Sequence, residues 1–138
     1  MIVFVILVSL FIATYTDIKT KTIPVFLFPA VSLIGVIYLS YQRNYDVKSS
    51  VLFALFTFIS YLILALFFNG GGGDVIMMTS LALLFNKEIL YVILISHTIM
   101  CIVSFVLYVK RKKKETLPFA PFVLVAYIIY LIGGFFIW

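Results

Sequence analysis

The sequence predicts an all-α membrane protein, a bundle of six transmembrane helices that forms a single domain over residues 1–138. Three observations predict it. The chain is 65% hydrophobic and 11% charged, against about 45–50% and about 25% in a soluble domain, so too few polar side chains exist to cover a water-facing surface. Its oily runs are apolar on every face, which excludes the in–out alternation of a membrane β-barrel. Backbone amides in hydrocarbon must also find partners within their own segment, and helix is the form that provides them.

Polar residues interrupt the oil and mark spans at about residues 2–16, 24–40, 49–68, 75–85, 89–109 and 117–137. Crossing roughly 30 Å of hydrocarbon takes about 20 helical residues. Segments two, three, five and six meet or approach that length. Segments one and four fall short, and each abuts an aspartate, Asp17 or Asp74. They are expected to be short helices ending at the paired aspartates. Segment one lacks the basic n-region and small-residue cleavage pattern of a signal peptide, so it reads as a retained first helix. Segment two opens at Pro24 and contains Pro29, which is expected to bend it. Segment six opens with Pro118 and Pro121, where proline costs a helix least. Tyrosines near segment ends, and Trp138, fit interfacial anchors.

Orientation follows from the Lys and Arg content of the loops. With six spans, Lys19, Lys21 and the cluster Lys110, Arg111, Lys112, Lys113 and Lys114 share one side; Arg43, Lys48 and Lys87 share the other. Seven of ten basic residues on the first side make it cytoplasmic. Asp17 closes segment one on that side and Asp74 opens segment four there. Two carboxylates from distant parts of the chain are thus expected in one membrane layer, near the cytoplasmic face.

An ionisable residue in a membrane segment is costly and marks function by default, although either aspartate alone also fits a helix cap. Two carboxylates about 3 Å apart cannot both ionise and share a proton. One then serves as base toward a water while the other donates to a scissile carbonyl, which is aspartic proteolysis. The other use of paired carboxylates is to hold a hard cation such as Mg²⁺ or Ca²⁺, which generally takes more oxygen ligands than the chain offers nearby. Between the helices, "NGGGGD" places Gly70 to Gly73 directly before Asp74. Glycine allows positive φ and close approach of another backbone, so Gly71 and Gly73 are expected to shape an active-site loop. A phosphate-binding loop would need Lys and Ser/Thr next, and Val75 and Ile76 follow instead. A flexible turn is the plainer alternative.

The motifs resemble those of the type IV prepilin peptidase family. "GGGD" at 71–74 fits G-x-G-D, "DIKTKTIP" at 17–24 fits D-x₅-I-P after the first helix, and "LPFAPFVLVAY" at 117–127 resembles the P-F-x-P-F stretch that opens the last helix. The resemblance covers nearly the whole chain. It implies that Asp17 and Asp74 are the catalytic pair of a membrane-embedded aspartic endopeptidase. The implied substrate is a prepilin or pseudopilin-like precursor, which loses a short basic leader at the cytoplasmic membrane face. Ile76 stands where relatives often have Lys, and Val25 where they often have Asn or Asp. The long forms carry a cytoplasmic insertion with two C-x-x-C pairs; this chain has one cysteine, so it resembles a short form, without that zinc site.

No cofactor or metal is expected. Cys101 reads as a small buried apolar residue. His97, within segment five, reads as the donor or acceptor of a helix–helix hydrogen bond. The cluster from Lys110 to Lys114 reads as a topology signal and a contact for anionic lipids, and no nucleic-acid partner is expected. The competing readings are a channel, transporter or assembly subunit that uses the aspartates for cations or protons, and an inactive peptidase homologue.

Overall fold

A computed structural model describes residues 2–41, 45–68, 71–109 and 117–134. The basic cluster at 110–114, Arg43, Asn44, Gly70 and Trp138 lie outside the described residues. Among the described residues the chain is helical and contains no strand. Its elements are α1 (Ile2–Thr20), α2 (Leu27–Tyr41), α3 (Val47–Phe68), α4 (Gly72–Phe85), a 3₁₀ turn (Asn86–Glu88), α5 (Ile89–Val109) and α6 (Ala120–Gly134). Three stretches are long and apolar enough to cross a membrane: Ile2–Thr20, Val47–Phe67 and Gly72–Val109, the last joining α4 and α5 through the turn. The helices α2 and α6 are apolar and shorter, with 15 residues each. These helices fit a multi-pass membrane protein.

The first segment differs from expectation. It does not stop before Asp17: α1 has 19 residues and carries Asp17 within it. Two local features extend it. The Thr16 hydroxyl donates to the carbonyls of Ile12 and Ala13, and the Thr20 hydroxyl donates to Thr16 O at 2.8 Å, so these polar side chains are satisfied inside the helix. The helix ends only at Lys21, whose φ is +54° and whose N–H donates to Asp17 O at 3.0 Å, a left-handed C-terminal stop. Segment four is short as expected, with 14 residues in α4 and Asp74 in its first turn. Pro29 is the third residue of α2 rather than an interior one. Its missing N–H falls in the first turn, where no intrahelical partner was due, so it begins a helix instead of bending one.

The short helix α4 lies innermost. Val75, Met77, Met78, Leu81, Ala82 and Leu84 are all buried, so most of its circumference faces protein. It packs most extensively against α3, and next against α2. Gly35 of α2 makes the second contact close: a β-carbon built there would lie 2.4 Å from Leu84 Cδ2 and 2.7 Å from Ile2 Cδ1. Small residues that admit another helix are the usual association device in lipid, where apolar burial gives no net drive between helices. Ile6, Leu10, Ala13 and Asp17 are buried at helical spacing on α1, and α1 packs on α6. Exposed side chains on the outer faces are mostly Phe, Leu, Ile and Val, the inverse of a water-soluble surface.

Polar ties fix the end of α4 remote from Asp74. Asp46 Oδ1 caps α3 by accepting the N–H groups of Lys48 and Ser49 at 3.1 and 3.3 Å. Ser49 Oγ donates to Asn86 Oδ1 at 2.8 Å, and the Tyr45 hydroxyl donates to the Leu83 carbonyl. Asn86, with φ +53°, stops α4. The start of α3 is thereby pinned to the end of α4, and the two helices run antiparallel back toward the aspartates.

Candidate active site

Asp17 projects from the last turns of α1 and is 7% exposed. Its Oδ2 accepts a hydrogen bond of 2.9 Å from the backbone N–H of Ala120, the first residue of α6. The local sequence explains why that donor is available. In the first turn of α6, Pro121 has no N–H, and the N–H of Phe122 donates to Phe119 O at 3.0 Å. Ala120 is left with an orphan donor at a helix N-terminus, where a negative charge is favoured. A carboxylate from the first helix thus caps the last one.

Asp74 lies half-buried in the first turn of α4, and its N–H donates to Gly71 O at 3.1 Å. The two carboxylates are near enough to interact through their charges. The structure therefore brings together the two aspartates that the sequence paired. Among the described residues no group of three or more His, Cys, Asp or Glu side chains comes together.

The glycines are placed for close approach, not for unusual backbone angles. None of the described glycines has positive φ, which corrects that part of the expectation. Gly71, the N-cap of α4, is extended, with φ −73° and ψ 134°, and a β-carbon on it would lie 3.5 Å from Asp74 Oδ2. A β-carbon on Gly73 would lie 3.0 Å from the β-carbon of Ile23 and 3.5 Å from its carbonyl oxygen. Gly73 is thus the seat of Ile23, in the stretch that connects α1 to α2. A β-carbon on Gly72 would meet nothing within 4 Å. The I-P and G-x-G-D motifs, far apart in sequence, touch at this point.

Several participants were not singled out by sequence reading. Ala120 contributes a backbone N–H, which side-chain chemistry does not announce. Tyr61 of α3 is 6% exposed, and its hydroxyl has no hydrogen-bond partner among the described residues. Its charge environment includes Asp74. Its ring lies 6.2 Å from that of Phe119 and meets His97 edge-on at 5.7 Å. A signal existed: Tyr61 sits well inside an apolar run, whereas anchoring tyrosines belong at its ends. Among the described residues His97 makes no helix–helix hydrogen bond. Its Nδ1 pairs with Ile93 O of its own helix at 2.9 Å, and its ring packs edge-on against Tyr61 and Phe119. Cys101 is exposed on α5 rather than buried.

A family model, that of the type IV leader peptidase family, matches residues 4–137. Neither the curated proteins nor the solved structures give a match to the chain.

Proposed function

The chain belongs to the type IV leader peptidase family, and from that premise we propose that it is an intramembrane aspartic endopeptidase that cleaves prepilin-like membrane precursors near the cytoplasmic face. The observation that carries the reading is the convergence of two carboxylates, Asp17 from α1 and Asp74 from α4, close enough to interact through their charges. The pair holds one proton between them. The ionised member takes a proton from water, and the water oxygen attacks the scissile carbonyl carbon. The protonated member donates to the carbonyl oxygen. Collapse of the tetrahedral intermediate breaks the C–N bond; the leaving amine takes a proton from one carboxyl while a hydroxyl of the intermediate returns a proton to the other, which restores the one-proton pair. The substrate is cleaved in an extended stretch, because a helix offers no free carbonyl. The Ile23–Gly73 contact supports the reading, since it fixes the approach to Asp74 from one side.

The test is incubation of purified protein with prepilin-type precursors and mass spectrometry of the new N-termini. One new N-terminus just after a basic leader is expected from the wild type and none from Asp17→Asn or Asp74→Asn. Cleavage that survives either substitution would remove the aspartic mechanism. Proton or cation flux through the purified protein in liposomes, without cleavage, would favour a transporter.

A further inference from the structure

Among the described residues, the phenol of Tyr61 is a buried polar group near the site that the chemistry above does not use. Its oxygen is buried and makes no hydrogen bond among the described residues. A buried hydroxyl without a partner is uncommon and calls for explanation. Three neighbours locate it. Asp74 lies within its electrostatic reach. Phe119, stacked at a tilt on its ring, immediately precedes Ala120, which holds Asp17. His97 closes the ring from α5, and with Nδ1 engaged by Ile93 O it holds its orientation independently of Tyr61. The ring is therefore wedged by aromatic contacts. At neutral pH an ordinary phenol, which ionises near pH 10, carries its proton, so a donor stands within reach of the charge of Asp74.

We propose that Tyr61 is a further catalytic residue of this site, whose O–H donates a hydrogen bond to the carbonyl oxygen of the scissile peptide and stabilises the negative charge that oxygen acquires when water adds. The inference rests on the aspartic reading. In the step, the water oxygen forms its bond to the carbonyl carbon, one water proton passes to the ionised carboxylate, and the C=O π electrons move onto oxygen. That oxygen is held by the protonated carboxyl and by Tyr61. Tyr61 keeps its proton throughout, so its contribution is electrostatic. A donor aimed at developing charge lowers the barrier more than it tightens ground-state binding.

The test uses the full-length protein in detergent and a synthetic peptide consisting of a basic leader joined to an apolar helical segment. Tyr61→Phe keeps the ring against Phe119 and His97 and removes only the hydroxyl. The expected result is a fall in kcat of about tenfold or more, KM within about threefold, and an unchanged melting temperature. Unchanged kcat, or a raised KM with kcat preserved, would overturn the proposal and leave Tyr61 as a packing residue. If Tyr61→Phe melts lower, 3-fluorotyrosine at position 61 carries the test, because it retains ring and hydroxyl and alters donor acidity; kcat is then expected to change, and constancy would overturn the proposal. Asp17→Asn and Asp74→Asn run alongside. Their inactivity keeps the aspartic reading whatever Tyr61→Phe does, and their activity, or failure of the wild type to cleave the peptide, would sink both.

Discussion

Asp17 and Asp74 differ in how each is held, and the difference sets what their removal does. Asp17 accepts an N–H from Ala120, so it stabilises α6 as well as serving the proposed chemistry. Asp17→Ala is expected to cost about 1–2 kcal/mol, the usual loss of a helix cap, measurable as a lower melting temperature in detergent. Asp17→Asn keeps an acceptor oxygen for Ala120 and is expected to fold. On the proposed mechanism, Asp17→Asn and Asp74→Asn each abolish cleavage, and the double variant is no worse than either single one, because residues acting as one unit are non-additive. The pH profile of the wild type is expected to be bell-shaped, with both limbs belonging to the pair. Activity is expected to persist in EDTA; inhibition reversed by Mg²⁺ would point to a cation held between the carboxylates. As candidates, both aspartates stand out in the sequence, because a charge in an apolar run has no bland surroundings to hide in. Tyr61 does not, because a tyrosine reads equally well as an anchor, and only its packing against Phe119 and His97 draws notice to it.

At the scale of elements, each motif proves to be half of a contact. The I-P motif supplies Ile23 and the glycine motif supplies the gap at Gly73 that receives it. Gly73→Val is expected to lower activity about tenfold or more, since a branched side chain must displace Ile23 and with it the start of α2. Gly72→Ala, with open space around it, is expected to stay within about twofold of wild type and to strengthen α4, as alanine is the better helix former by about 1 kcal/mol. Equal small losses at both positions would reduce the run to a turn. Segment five was read to begin at Ile89, and α5 begins there, directly after the turn Asn86–Glu88. The end of α1 was misread because a charge was taken as a boundary, whereas a buried partner lets the helix run through it. Such a partner, a backbone N–H from α6, has no trace in the local sequence.

For the whole molecule, the all-helical, apolar character followed from composition together with runs that are apolar on every face, whereas the number of crossings did not. Within the described residues α2 and α6 have 15 residues each, against the about 20 that a perpendicular crossing takes, and hydropathy does not say whether protein or lipid surrounds them. We propose the six-span arrangement with Asp17 and Asp74 toward the cytoplasm, and single cysteines test it. With Cys101 replaced, since it is exposed, cysteines at Lys19 and Lys112 are expected to label from the cytoplasmic side and one at Asn44 from the opposite side. Labelling of Asn44 and Lys112 from one side would break the arrangement. The bond from Asp17 to Ala120 spans 103 positions of the chain and so also has a place in time. During synthesis α1 precedes α6, so the carboxylate is made well before its donor. Until α6 is in place Asp17 lacks that hydrogen-bond partner. On the proposed mechanism, cleavage is therefore expected only once α6 has docked against α1.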